Sequence, residues 1–343
     1  MLTQKEIIEI NSLIDGSTNP LFMFDDDPDG VCAYLLLKKY YKKGEGFALK
    51  GPPNITVETL NVITKYNPDL IIVLDKPLID QEFIDQAPCK IVWMDHHPLV
   101  ERDNVNYYNP RKNDEKDNRP TTALAFSIVK TNIWIAIIGC IFDHYIPDFV
   151  TEFIDEYKDL MNKVPKDPSD VRFETEFGKI IKIFSFNLKG ESKDVKQSIK
   201  YFESVNSPYE ILNRTTKEGE YLYKRYEELD KKYTKLLFDA TKFVGKDKLF
   251  VFLYNSDKTS FTGDLANEIL HNNRNKIVLI GRKKDDKVIL SIRSRSKKIV
   301  DCLEKALIGI DGYGGGHDYA CGGCVNINDF DRFIINLKKE LFD

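Results

Sequence analysis

Four apolar runs within the first 145 residues each end on an aspartate, and this repetition constrains the fold more than any other feature of the chain. Residues 21–24 lead into Asp25-Asp26-Asp27-Pro28-Asp29-Gly30, and residues 70–74 lead into Asp75. Residues 91–94 lead into Asp95-His96-His97, and residues 134–142 into Asp143-His144. Short apolar runs alternating with helical patterns read as a mostly parallel sheet covered by helices, and such sheets build their sites at the carboxyl edge of the strands. All four acidic ends are therefore expected at one strand edge. A capping aspartate or a lone acidic turn explains any one of them. Four in order, with two of only five histidines side by side next to a carboxylate, point to a site.

The residue types narrow the chemistry. In an extended segment Asp25, Asp27 and Asp29 point to one side. Four carboxylates in five residues repel one another, so folding them together calls for a cation. Gly30 permits the sharp turn into a helix. Imidazole suits borderline divalent ions and carboxylate harder ones, so the mixture favours Mn²⁺ or a similar ion.

Composition sets outer limits. At 343 residues, with 42% hydrophobic and 30% charged residues, the chain is an ordinary globular protein long enough for two domains. No apolar run approaches a membrane helix, and residues 1–5 carry no signal-peptide pattern, so a cytoplasmic protein with no membrane partner is expected. Six scattered cysteines suit a reducing compartment, and Cys321-x-x-Cys324 without a second pair argues for packing rather than zinc. A net charge of −4 argues against coating nucleic acid by bulk charge, though not against a nuclease with a local groove.

The expected fold class is α/β in two lobes. An N-terminal, mostly parallel sheet with flanking helices spans 1–145, a helical connector 146–245, and a smaller C-terminal α/β domain 246–343. Pro120-Thr121-Thr122 reads as a helix start with Thr at a capping position. In the connector, Tyr221, Tyr223, Tyr226, Leu229 and Tyr233 form a stripe that fits the buried face of a helix better than a nucleic-acid groove. Strands are expected at 249–254, 276–281 and 288–295, with helices at 264–271 and 299–308. Gly312-Tyr313-Gly314-Gly315-Gly316-His317 reads as a Gly-rich loop whose N–H groups approach an anion, with Arg293 as a further donor.

These motifs resemble the DHH phosphoesterase family, named for the tripeptide that stands here as Asp95-His96-His97. Asp25-x-Asp27-x-Asp29-Gly30 is similar to the first motif of the RecJ-like branch, Asp75 falls at the second motif and Asp143 at the fourth. Residues 246–343 resemble the DHH-associated domain through Gly314-Gly315-Gly316-His317 and the stretch 262–268. Two positions depart from the pattern: many relatives carry histidine where Asp25 stands, and a small or amide residue where Lys76 follows Asp75.

The resemblance implies two divalent ions, Mn²⁺ with Mg²⁺ or Co²⁺ as substitutes. Asp25, Asp27 and Asp75 would hold one; Asp29, Asp75, His96 and Asp143 the other, with Asp75 bridging. It further implies catalytic roles for Asp75, for His97 at the scissile phosphate or leaving oxygen, and for Asp95 in orienting a ligand imidazole. Arg293, Gly314, Gly315, Gly316 and His317 would grip a phosphate from a second lobe closing over the cleft. The implied function is a phosphodiesterase or exonuclease acting on single-stranded DNA or RNA or on short oligonucleotides. Two alternatives stay open: a phosphoesterase for small substrates such as cyclic dinucleotides, phosphoadenosine phosphate or pyrophosphate, and a non-catalytic scaffold docking replication or repair proteins. Oligomeric state is not legible.

Overall fold

Seven strands of the N-terminal part explain why acidic residues gather at one edge. The computed structural model describes residues 1–51, 54–255 and 259–342. In chain order the strands are β1 (Pro20–Asp25), β2 (Glu45–Leu49), β3 (Asn54–Ile55), β4 (Leu70–Leu74), β5 (Leu78–Ile79), β6 (Lys90–Met94) and β7 (Asn106–Tyr108). Five of them form a parallel sheet in the order β2-β1-β4-β6-β7, and β3 pairs with β5 apart from it. The chain steps outward from β1 to β2 and then returns to β4 on the other side. The β1/β4 junction is therefore the switch point where open α/β sheets form their crevice.

Register does the rest. Phe24 lies opposite Leu74, Leu74 opposite Met94, and Met94 opposite Tyr108. The next residues, Asp25, Asp75, Asp95 and Asn109, therefore leave the sheet in one row. The ladder continues one step beyond it, with Asp75 N–H donating to the Met94 carbonyl at 3.0 Å and Asp95 N–H to the Tyr108 carbonyl at 3.1 Å. Every residue of β4 is buried, as a parallel sheet covered on both faces requires. Trp93 stacks on Tyr107 with ring centroids 4.0 Å apart, and its indole N–H donates to the Lys76 carbonyl at 2.8 Å. The core thereby fastens the turn that presents Asp75.

The helix Pro28–Tyr41 starts directly after β1. Asp27 caps it by accepting the Gly30 N–H at 3.0 Å, and Pro28 takes the first position, where its missing N–H costs nothing. A Cβ at Gly30 would lie 2.6 Å from the Asp25 carbonyl oxygen, so only glycine fits this tight return. The helices Thr121–Val129 and Ile133–Phe142 pack against it. The second of these corrects an expectation: the fourth apolar run is a helix, and Asp143 sits at its C-terminus rather than at a strand end. A continuous apolar run carries no usable period, and at ten residues it is long for a strand.

The chain divides into two compact units, Met1–Leu188 with Ser192–Arg225, and Lys189–Glu191 with Tyr226–Asp343. The helices of residues 150–212 belong to the first, held by stacks such as Phe184 on Phe202 at 3.9 Å. Along the helix Lys217–Thr241, Tyr223, Tyr226, Leu229 and Tyr233 are buried and Tyr221 is half-buried, so the aromatic stripe is a packing face. No described helix is long and apolar enough to cross a membrane.

The second unit contains β8 (Leu249–Asn255), β9 (Ile277–Lys284), β10 (Lys287–Arg293), β11 (Gly312–His317) and β12 (Ala320–Asn326) in the order β11-β12-β10-β9-β8. β8 and β9 are parallel; the other pairs are antiparallel. Leu279, Ile292, Leu303, Val325 and Phe333 form its core with the helices Val300–Ala306 and Phe330–Phe342. The expected Gly-rich loop is instead the edge strand β11. Gly314 pairs with Gly323 and Gly315 with Gly322, a match of glycine to glycine that local turn propensity does not reveal.

Candidate metal centre

At the switch-point edge the first unit brings all six expected ligands together. Ligand atoms of Asp25, Asp27 and Asp75 lie within 4.8 Å of one another, as do those of Asp29, His96 and Asp143, and those of Asp75, His96 and His97. His96 Nε2 is 3.5 Å from Asp75 Oδ1, 3.7 Å from Asp143 Oδ2 and 4.0 Å from Asp29 Oδ2. Asp75 itself adopts φ +59°, a left-handed conformation that aspartate tolerates better than most residues.

Several of these groups are held by named partners. Asp29 is buried, and its two oxygens accept the N–H groups of Thr121 and Thr122 at 2.9 and 2.8 Å. It thus caps the helix Thr121–Val129 from outside that helix, where the dipole favours negative charge. The expectation of a Thr cap is corrected: the cap position is Pro120, and the two threonines are the capped residues. Their hydroxyls bond into the site, Thr122 Oγ1 to the Asp29 carbonyl at 2.8 Å and Thr121 Oγ1 to Asp75 Oδ1 at 3.2 Å. The close helix approach depends on Gly139, where a Cβ would stand 2.1 Å from Thr122 Oγ1.

The Asp-His-His tripeptide divides its labour differently from the expectation. Asp95 is fully buried and engages His97, with Oδ1 2.8 Å from Nδ1 and Oδ2 accepting the His97 N–H at 3.0 Å. It orients His97 rather than the ligand candidate His96. His96 is instead positioned through its carbonyl, which accepts Arg111 Nε–H at 2.8 Å. Buried Asn109 donates to the His97 carbonyl at 3.0 Å and to the Tyr107 hydroxyl at 2.8 Å. Sequence reasoning does not single out Asn109, Arg111, Thr121 or Thr122 as site residues. Only Asn109 carries a readable signal, since it follows the apolar end of β7 as Asp75 follows β4.

Electrostatics decide what this arrangement can tolerate. Two unit charges 4 Å apart interact by about 4 kcal/mol at the effective dielectric of a protein surface, so packed carboxylates stay ionised only beside a cation. Burial, then the charges of Asp25 and Asp29, push Asp27 up to about 7. Burial raises Asp29 despite its bonds to Thr122 and Thr121. Burial and the charges of Asp29 and Asp27 raise Asp75 and Asp143 well above the carboxylate range. For His97, burial works downward, but the Asp95 hydrogen bond and charge outweigh it and hold the imidazole above its ordinary value. A lysine also stands among these acids. Lys76, fully buried, places Nζ 3.0 Å from Asp25 Oδ1.

In the second unit, Arg293 ends β10, and its register partner Ala320 is also the partner of His317 on β11. Arg293 and His317 thus share one row of the sheet. Arg293 Nε donates to Asn267 Oδ1 at 2.9 Å, and Nη1 to the carbonyls of Ile292 and Cys321 at 3.0 and 3.1 Å. Around Gly315 a Cβ would meet nothing within 4 Å, whereas at Gly316, with φ +140°, it would lie 2.5 Å from the Ala320 carbonyl oxygen.

The N-terminal domain of the DHH family matches residues 21–160, and the DHHA1 domain matches residues 248–341. The chain belongs to the DHH family. Its fold is that of RecJ from Thermus thermophilus, solved in complex with Mn²⁺, at TM-score 0.69 and 15% identity over 98% of this chain. The match takes in 55% of that RecJ, so this DHH chain spans about half the length of its relative. A manganese-bound exonuclease RecJ aligns over 100% of this chain and 96% of its own at TM-score 0.66 and 14% identity. A pGpG-specific phosphodiesterase from Vibrio cholerae aligns over 95% and 99% at TM-score 0.52 and 14% identity. No curated protein sequence matches the chain.

Proposed function

We propose that this DHH protein is a divalent-metal-dependent phosphodiesterase that hydrolyses single-stranded nucleic acid or short oligonucleotides. The observation that carries the reading is the convergence of Asp29, Asp75, His96 and Asp143, with His97 alongside, at the switch-point edge. A donor set of carboxylates and one imidazole suits Mn²⁺ and related ions, and the raised carboxylates mark a place where positive charge is wanted. A divalent ion held by these residues would lower the pKa of water and offset charge on the phosphoryl oxygens.

The chain's own residues supply the remaining functions. Hydrolysis joins a water oxygen to phosphorus and breaks one ester P–O bond, so the leaving oxygen must gain a proton. His97, held at Nδ1 by Asp95 and inclined to carry a proton, is the group suited to bind the phosphate or protonate that oxygen. Asp95 and Asn109 fix its position. In the second unit Arg293 and His317 are the donors for a phosphate group, and the open space at Gly315 leaves room for it to approach. The exonuclease and pGpG phosphodiesterase among the similar folds support a phosphodiester substrate and leave its length open.

The test is hydrolysis of end-labelled single-stranded DNA and RNA with Mn²⁺, comparing the wild type with Asp75→Ala and His96→Ala. Loss in both variants is expected, and full activity in both would sink the assignment. A rate that rises with strand length supports a nuclease; a rate confined to dinucleotides supports the small-substrate reading that the pGpG phosphodiesterase fold favours.

A further inference from the structure

The Asp25–Lys76 ion pair bears on how many cations the site can take. Lys76 follows Asp75 directly, so its backbone is fixed by the turn that Trp93 fastens. Its side chain is 2% exposed and ends against Asp25 Oδ1 at 3.0 Å. The two departures from the family pattern, an acid at 25 and a lysine at 76, are therefore each other's partner. An acid introduced alone would add negative charge to a crowded cluster, and a buried lysine alone would lack a counter-charge. Together they are neutral.

The pair stands at one end of the cluster only. Asp25, Asp27 and Asp75 form the group nearest the ammonium, while Asp29, His96 and Asp143 form the other. An ion ligated by Asp25 would share that carboxylate, whose side chain is 31% exposed, with the buried ammonium, and would set two like charges a few ångströms apart. The end built on His96, Asp29 and Asp143 carries a neutral-capable imidazole and two carboxylates, with Asp75 Oδ1 3.5 Å from His96 Nε2.

We propose that the Lys76 ammonium, held on Asp25, takes the place of one of the two divalent ions, so that the site binds a single ion, at the Asp29–Asp75–His96–Asp143 end. The inference rests on the metal-dependent reading above. In it the Lys76 side chain occupies Asp25 and leaves Asp75 to ligate one ion rather than two. It also makes the protein's dependence on metal concentration first order.

The experiment is a count. The full-length protein, stripped with chelator, is titrated with Mn²⁺ by calorimetry and by electron paramagnetic resonance. One ion per chain, with the six-line spectrum of an isolated Mn²⁺, is the expected result. Two ions with a spin-coupled spectrum would overturn the inference while leaving the metal-dependent reading intact. No binding at millimolar Mn²⁺ would overturn both. Lys76→Asn, checked for folding by circular dichroism, is expected to raise the count toward two with a coupled spectrum. A folded Lys76→Asn variant that still holds one ion would count against the ammonium as the reason. The wild-type count decides the main claim if that variant does not fold.

Discussion

The two units handle charge in opposite ways. In the first, acidic and imidazole groups are packed at the ends of parallel strands and nearby helices, with Asp29, Asp75, Asp95 and His96 buried. In the second, Arg293 and His317 lie on a mixed sheet beside an edge strand whose Tyr313 is 71% exposed. The first arrangement repels itself until a cation arrives. On the proposed function, the second offers donors to an anion. Substitutions in the first should therefore act on metal affinity and turnover, and those in the second on substrate affinity.

Asp75→Ala should break this comparison most forcefully if it is wrong. Removing the carboxylate that faces His96 should take away several kcal/mol of charge stabilisation, or roughly 10²-fold or more in kcat, with little change in fold. A variant defective only in KM would show that the edge binds substrate rather than performs chemistry. Asp95→Asn should cost about 10–100-fold, the usual effect of losing a group that orients an active side chain, because His97 would lose its anionic partner. Its pH–rate profile should shift with it. The alkaline limb, where a proton donor is lost, should move to lower pH as the His97 pKa falls. Arg293→Ala should leave kcat near the wild-type value and raise KM for a phosphate-terminated substrate by about tenfold, the scale of a 1.4 kcal/mol contact. A kcat defect there would erase the distinction between the units.

Stability sharpens the contrast through pH. In the folded chain Asp27 is raised to about 7 from the ordinary 3.8, so its contribution is present at low pH and lost as pH climbs toward 7. Asp29, Asp75 and Asp143 are shifted in the same direction. Without metal, the first unit should melt several degrees lower at pH 8 than at pH 5. Mn²⁺ should reverse the trend, since the ion displaces those protons and binds more tightly as pH rises. Calorimetric scans at the two pH values, with and without Mn²⁺, check it. A metal-free protein more stable at pH 8 would contradict the crowded-carboxylate account.

Legibility in the sequence follows the same division. Strand ends at Asp25, Asp75 and Asp95 can be read because β1, β4 and β6 are short apolar runs that change abruptly to acid. Asp143 is readable as a site residue but not as a helix end, because an all-apolar decapeptide looks alike in either state. The supporting shell is largely hidden. Thr121 and Thr122 meet Asp29 across more than ninety residues, and Arg111 reaches His96 through a backbone carbonyl, contacts that no local pattern encodes. Lys76 is visible as an oddity, yet its partner Asp25 emerges only when β1 and β4 pair. The glycines of β11 read as a loop because their partners Gly322 and Gly323 lie on the next strand.

That glycine strand supplies the smallest and most discriminating effect. A Cβ added at Gly315 would have nothing within 4 Å, and the backbone there is not left-handed, so Gly315→Ala should change stability by no more than about 0.5 kcal/mol. Gly316 has φ +140° and a Cβ position 2.5 Å from the Ala320 carbonyl oxygen, so Gly316→Ala should strain the β11–β12 pair and cost about 1–3 kcal/mol. Stability therefore separates the two positions in one direction. Function should separate them in the other: if a phosphate approaches the open backbone at Gly315, the added methyl should raise KM several-fold while melting stays unchanged. Equal KM for Gly315→Ala and wild type would mean that the open strand is only a consequence of glycine pairing with glycine. Anion binding in the second unit would then rest on Arg293 and His317 alone.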